Sequence, residues 1–380
     1  MIFRQLFYIL GAAIMLSACG GGSASSSRET SLSAPGDTIP MEYARNIVMI
    51  EREGLTQVDI RNPWDTTRVL HRYVLIERGK DLPGDVKDAT VLTVPLQRPV
   101  VYSGVHASLL GELGHGDAVK GVCDTDYIFD PELLRRIKNG EIADCGVNTN
   151  PDLEKIFSLS PDAVLLSPYE NSRDYSKLER AGVAVVECAD YMESSPLGRA
   201  EWMKFYGRLF GEADKADSIF SSTAKEYLDL KSKASKAGAR PKVLFDRIYS
   251  GIWYVPERNS TTGRFIEDAG GLNPFAENDK AGSAPLTPEK VLAKAGDADF
   301  WLIRHAGEKI SKETLWKENP MYPQFRPYKE GTIYVTDTSR SRVFEDAAFH
   351  PQWLLSDMIS LLHPELGVTP LRSYYSRLPQ

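Results

Sequence analysis

The sequence predicts an α/β protein of two lobes joined by a long helix, with an extra β-hairpin ahead of them. Three observations predict it. Short apolar runs alternate with helical stretches from Val100 to Cys188, as βαβ units on a parallel sheet require. The alternation stops at Ser195, where a helical run begins, and resumes after Pro241. Before Val100 the pattern is instead apolar–polar alternation, as in Ile47-Val48-Met49-Ile50 and Tyr73-Val74-Leu75-Ile76.

The chain opens on Arg4 and an apolar run from Leu6 to Leu16, too short to cross a bilayer that needs ~20 residues, so residues 1–18 read as a signal peptide. The ending Leu16-Ser17-Ala18-Cys19-Gly20 resembles a bacterial lipobox, in which the cysteine becomes the lipidated first residue. Residues 19–40, Gly/Ser-rich at first, then form a flexible tether. These features predict a periplasmic body anchored to a bacterial membrane by lipid alone.

Of the 380 residues, 45 Lys and Arg stand against 52 Asp and Glu, a net charge of −7 that argues against general nucleic-acid binding. Cys123, Cys145 and Cys188 are odd in number. Cys123 and Cys145 each close a short apolar segment, so they form one disulfide at neighbouring strand ends or remain free thiols with Cys188.

The first body, 41–195, holds the hairpin over Tyr43 to Glu77, broken at Pro63-Trp64-Asp65, and then the βα units. Strands at Val100–Tyr102, Val119–Cys123, Ala163–Ser167 and Val183–Cys188 alternate with helices at His106–Leu113, Pro131–Lys138, Pro151–Leu159 and Tyr175–Ala181. Ser195-Pro196 is an N-cap with proline at the first helical position, opening a helix to Phe210. Gly211 stops it, and a second helix runs to Lys236 inside a linker of 196–240. The second body, 241–380, has strands at Lys242–Phe245, Phe300–Ile303 and Thr332–Val335. Its helices fall at Gly263–Ala269, Thr287–Ala295 and Pro351–Leu362. Both bodies are expected to be Rossmann-like.

Ligands of open α/β sheets bind beyond the carboxyl ends of the strands. The loops there supply Tyr102, Ser103 and His106; Asp126 and Tyr127; Tyr169 and Glu170; Trp253 and Tyr254; Arg304 and His305; and Arg340, Arg342 and Phe344. Aromatics and arginines together suit a large, partly flat ligand carrying oxygen anions. No Gly-x-Gly-x-x-Gly, phosphate loop, Gly-x-Ser-x-Gly elbow or His-Glu-x-x-His helix accompanies them, so no catalysis is expected. The six histidines do not fall at metal-ligand spacing, which argues against a direct zinc or manganese receptor. A direct zinc or manganese receptor of a related importer and an extracytoplasmic enzyme acting on a tetrapyrrole or chelate are the alternatives.

Several segments together resemble the substrate-binding proteins of bacterial ABC transporters for iron-siderophore complexes, haem and vitamin B12. The segments are Pro99 to Gly114 with Ala118-Val119-Lys120-Gly121-Val122, Asn150 to Ile156 with Leu159 to Leu165, and Gly270 to Phe275 with Leu286 to Leu292. The resemblance covers roughly Pro99 to Leu362. It implies two lobes bridged by a helix with the ligand cleft between the lobes, no intrinsic cofactor, and a cargo that is an iron chelate, haem or a corrinoid. It implies an ABC permease with its ATPase as partners, a monomeric receptor, and one glutamate on each lobe that docks the permease, Glu154 and Glu289 by position. An anionic iron chelate favours Arg304, Arg340 and Arg342, whereas a corrinoid favours Trp253 and Tyr254. Haem requires an axial ligand among Tyr102, His106, Tyr127, Tyr169 and His305.

Overall fold

The computed structural model describes residues 35–82, 86, 88–169, 175–277 and 279–379; the expected signal peptide, Cys19 and Glu170 lie outside the described residues. Strands β1 (Asp37–Ile39), β2 (Ile47–Arg52), β3 (Leu55–Arg61) and β4 (Val69–Glu77) pair antiparallel, and β5 (Thr90–Val94) joins β4 in parallel. The expected hairpin is therefore a five-stranded sheet. Residues 37–39, expected in the tether, form its edge strand. Period-two alternation sets one face of the sheet, where Met49, Val58, Ile60, Tyr73, Leu75 and Leu92 are buried, while Val74 and Ile76 of β4 are buried on the other.

The next unit comprises β6 (Val100–Val101), α1 (Gly104–Leu113), β7 (Gly121–Val122), α2 (Pro131–Lys138) and β8 (Ala143–Asp144). A ribbon of β9 (Gly146–Val147) and β10 (Asn150–Pro151) follows, then α3 (Leu153–Ser158), β11 (Ala163–Leu166), α4 (Ser176–Arg180) and β12 (Ala184–Glu187). The sheet is parallel throughout, in the order β12-β11-β6-β7-β8. The chain thus starts at the centre, moves one way, and reverses between β6 and β11.

The expected helix after Ser195 is interrupted at Trp202, giving α5 (Pro196–Glu201) and α6 (Met203–Leu209). Ser195 caps it as expected, its Oγ accepting the Gly198 N–H at 3.0 Å. Two glutamates here hold the N-terminal sheet. Glu201, fully buried, accepts the backbone N–H groups of Glu42, Tyr43 and Ala44 at 2.8–2.9 Å. Glu193 accepts those of Arg45 and Asn46 and the Trp202 indole. Two carboxylates therefore satisfy a run of backbone donors that burial would leave orphaned. Next comes α7 (Ala213–Ala234), 22 residues long, burying Ala216, Phe220, Thr223, Ala224 and Tyr227 at helical spacing.

The second half contains β13 (Val243–Phe245), β14 (Ile248–Tyr249), β15 (Ile252–Pro256), α8 (Thr261–Asp268), β16 (Ser283–Leu286) and α9 (Pro288–Ala295). It continues with β17 (Phe300–His305), α10 (Lys312–Glu318), α11 (Arg326–Glu330), β18 (Ile333–Asp337), α12 (Val343–Phe349), α13 (Pro351–Leu362) and β19 (Ser376–Arg377). β13, β17 and β18 are parallel, with β19 an antiparallel edge. The β14-β15-β16 sheet covers a core of Trp253, Trp301, Tyr322 and Phe325.

All three described cysteines are free and buried, which corrects the disulfide alternative. Cys123 and Cys145 follow paired residues of β7 and β8, yet their Sγ atoms turn to backbone carbonyls, Cys123 to Cys145 and Cys145 to Ala143, each at 3.7 Å. Burial raises the two thiols to about 12 and about 11, which disfavours the thiolate that forms disulfides.

Candidate functional site

A doubly wound sheet leaves a crevice where its strand order reverses, because the connections from neighbouring strands leave toward opposite faces. Here that point lies between β6 and β11, and a pocket of about 520 Å³ opens there. Tyr102 and Ser103 follow β6, and Ser167, Pro168 and Tyr169 follow β11. The β9-β10 ribbon adds Asn148 and Thr149, α4 adds Lys177, and the turn after β12 adds Tyr191.

Tyrosines dominate this pocket. Tyr102 is 6 % exposed, and burial raises its hydroxyl well above the usual tyrosine range, so it stays neutral. Among the described residues no hydrogen bond uses that hydroxyl. Tyr191 donates to the Pro168 carbonyl, tying the turn after β12 to the loop after β11. Tyr169 is 53 % exposed at the rim, and Tyr127, on the loop after β7, is likewise exposed. Such walls supply rigid apolar faces with hydroxyl tips, which suit a broad, flat ligand.

The other residues picked from the sequence divide by side-chain direction. His106 does not face the cleft. It is buried on the face of α1 that also carries Leu109, Leu110 and Leu113, and its Nε2 lies 2.7 Å from Asp190 Oδ1. Trp253 is also a correction: fully buried, it donates to the Phe245 carbonyl at 3.0 Å and packs on Trp301. Tyr254, the next residue on β15, is exposed on the opposite face.

The arginines are committed to carboxylates. Arg304 forms a two-pronged pair with Asp246, Nε lying 3.1 Å from Oδ1, and its guanidinium lies over the Phe245 ring. Asp246 adopts a left-handed backbone, φ 54°, which points its carboxylate to Arg304. Arg342 reaches Asp130 at 3.2 Å, Ser108 at 3.1 Å, and Glu345 and Asp346 at 3.3 Å each. It bridges α12 to α1 and the start of α2, and Glu345 accepts the N–H of Phe129, just ahead of α2, at 3.0 Å. Arg340 is largely exposed, 3.6 Å from Asp337. His305 is half-buried, with an Nδ1 that has no hydrogen-bond partner among the described residues.

A second cavity of about 520 Å³ runs along α1, α2, α12 and α13. Its charged walls pair with each other, through Arg342 and through His350 Nε2 at 2.7 Å from Glu112. Topology therefore favours the tyrosine pocket as the ligand site. Among the described residues no group of three or more His, Cys, Asp or Glu could hold a metal ion, and no helix is long and apolar enough to cross a membrane.

Glu154 and Glu289 are exposed in the first turns of α3 and α9, where a carboxylate is favoured by the helix dipole.

Known proteins resemble this chain over most of its length. An uncharacterized lipoprotein of Methanocaldococcus jannaschii is 26% identical over 349 residues, spanning 86% of this chain and 82% of the relative. The petrobactin-binding protein of Bacillus subtilis is 23% identical, spanning 89% of this chain and 91% of that one. The crystal structure of a periplasmic heme-binding protein from Pseudomonas aeruginosa matches with a TM-score of 0.59 at 19% identity, covering 75% of this chain and 99% of that one. Relatives and neighbours whose names give a ligand include binding proteins for petrobactin, heme and vitamin B12. Residues 100–339 match the family model described as periplasmic binding protein, and the chain belongs to that family.

Proposed function

We propose that this protein is the lipid-anchored substrate-binding component of an ABC importer, capturing an iron chelate, haem or a corrinoid and handing it to the permease unchanged. The observation that carries this reading is the tyrosine-walled pocket at the β6/β11 reversal in a chain of the periplasmic binding family. Its volume of about 520 Å³ lies within the range of ~300–1,000 Å³ typical of small-molecule sites. In this reading lobe 41–195 and lobe 241–380 close on the cargo, the segment 196–240 joins them, and Cys19 carries the lipid at the periplasmic membrane face. The receptor acts as a monomer. Titrating the protein with ferric siderophores, haem and cyanocobalamin while following its fluorescence tests the reading. One-to-one saturation by one of them is expected, and saturation by none overturns it.

Glu154 and Glu289 dock the permease. Their exposure, and the absence among the described residues of any ion pair to either, support this. Replacing both with Ala leaves cargo affinity unchanged and abolishes uptake; uptake at the wild-type rate overturns the assignment.

A further inference from the structure

The five strands β1 to β5, residues 37–94, stand ahead of the residues 100–339 that match the family model. Several of their polar contacts reach residues 187–193, the segment that runs from the end of β12 through the turn carrying Tyr191. His71 and Tyr73, two apart on β4, share one face of the sheet, and their rings stack at 4.3 Å. The Tyr73 hydroxyl accepts the Glu187 N–H at 2.9 Å. His71 Nδ1 lies 3.1 Å from Glu187 Oε2, and its Nε2 lies 2.7 Å from Thr90 Oγ1 of β5. Just ahead of β2, the Asn46 side chain donates to the Met192 carbonyl at 3.2 Å, and the Arg45 and Asn46 N–H groups go to Glu193.

The extra sheet therefore grips 187–193 at both ends. At its first end Glu187 pairs with Leu166, a pocket residue, across β12 and β11. Between the ends Tyr191 lines the pocket and donates to the Pro168 carbonyl. A single three-residue turn, Asp190–Met192, has little stability of its own, so its position depends on what it packs against. A wall whose supporting groups already fix it loses less freedom when a ligand settles on it, and binds more tightly for that reason.

We propose that the N-terminal sheet is a positioning element of the ligand site, with Tyr73, His71 and Asn46 holding 187–193 so that Tyr191 stands fixed in the pocket wall. The proposal rests on the transport reading above and gives the residues ahead of the family match a part in it.

The test uses the full chain carrying Tyr73→Phe with Asn46→Ala, which removes two hydrogen bonds to the segment and keeps the ring in the core. Each lost bond shifts an opening equilibrium by about fivefold. Hydrogen exchange of the 187–193 amides, followed by mass spectrometry, is expected to quicken at least fivefold. The Kd for whichever of haem, cyanocobalamin or the ferric siderophores saturates the wild type is expected to weaken at least fivefold. Arg72→Met, which removes the Arg72–Asp59 pair within the sheet, serves as the control and is expected to change that Kd less than twofold. In a Tyr191→Ala background the double substitution is expected to change Kd less than twofold, because its effect passes through Tyr191. Unchanged exchange, an unchanged Kd, an equal loss in Arg72→Met, or a full loss in the Tyr191→Ala background overturns the positioning role and leaves the transport reading standing. A wild type that saturates with none of the panel overturns the transport reading and this role with it.

Discussion

Asp190 ties the pocket wall to the helices beneath it, and Asp190→Asn measures how much that tie contributes. The carboxylate is fully buried at the start of the turn that carries Tyr191. It accepts from the Tyr206 hydroxyl at 2.8 Å, meets Arg199 Nε at 3.0 Å, and lies 2.7 Å from His106 Nε2. These partners belong to α6, α5 and α1. The amide keeps the shape but removes the charge, leaving Arg199 without its counter-ion and the His106 ring without its carboxylate partner. Removing one partner of a buried ion pair costs ~3–5 kcal/mol. With an unfolding entropy of about 2.1 cal/mol/K per residue over roughly 340 residues, ~4 kcal/mol lowers Tm by about 6 °C. The loss also depends on pH. Burial pushes the Asp190 carboxyl up, but His106, Arg199 and Tyr206 together hold it down at about 2. A carboxyl held below its unfolded value of ~3.9 stabilises fully above that value and loses the contribution as pH falls toward 2. The Tm gap between wild type and variant, read by scanning calorimetry, should therefore be widest at neutral pH and narrow below pH 4. A gap under about 2 °C at pH 7, or one that does not narrow in acid, refutes the reasoning.

Asp357 behaves in the opposite sense. Burial lifts its carboxyl to about 6 although it accepts the Tyr374 and Tyr375 N–H groups. Its contribution is full below the ordinary carboxylate range and is lost as pH rises through 6, so Asp357→Asn should gain Tm relative to wild type between pH 4.5 and 7.5. The three buried thiols should react with a thiol reagent only after denaturation, and fewer than three reactive groups in the unreduced, denatured chain would show that a disulfide had formed. Trp253→Phe should lower Tm and leave cargo affinity unchanged, checked by the same titration, because its ring packs among Trp301, Tyr322 and Phe325.

The βα alternation made the parallel sheet of the first half legible, and α2 and α13 fall at their expected residues, Pro131–Lys138 and Pro351–Leu362. Strand ends located the pocket's Tyr102 and Tyr169, since chain position alone places a residue at the mouth of such a sheet. Side-chain direction was the harder property. On β15 successive residues alternate faces, so Trp253 and Tyr254 could not both reach one cleft. On α1 the spacing of His106 to Leu109, Leu110 and Leu113 is that of one helical face, a sign that the histidine points into the core. Tyr191 was missed because the turn after β12 carries little apolar pattern of its own. The commitment of Arg304 to Asp246 joins residues 58 positions apart and needed the folded chain to be seen.

The most direct test of the central claim is an equilibrium titration of wild type and Tyr169→Ala with the same metal-complex panel. Tyr169 stands at the pocket rim, 53 % exposed, so its loss should spare the fold. One-to-one saturation of the wild type by one cargo is expected, with at least a tenfold weaker Kd in the variant. A wild type that saturates with none of the panel, or a variant that binds as tightly as the wild type, would contradict it.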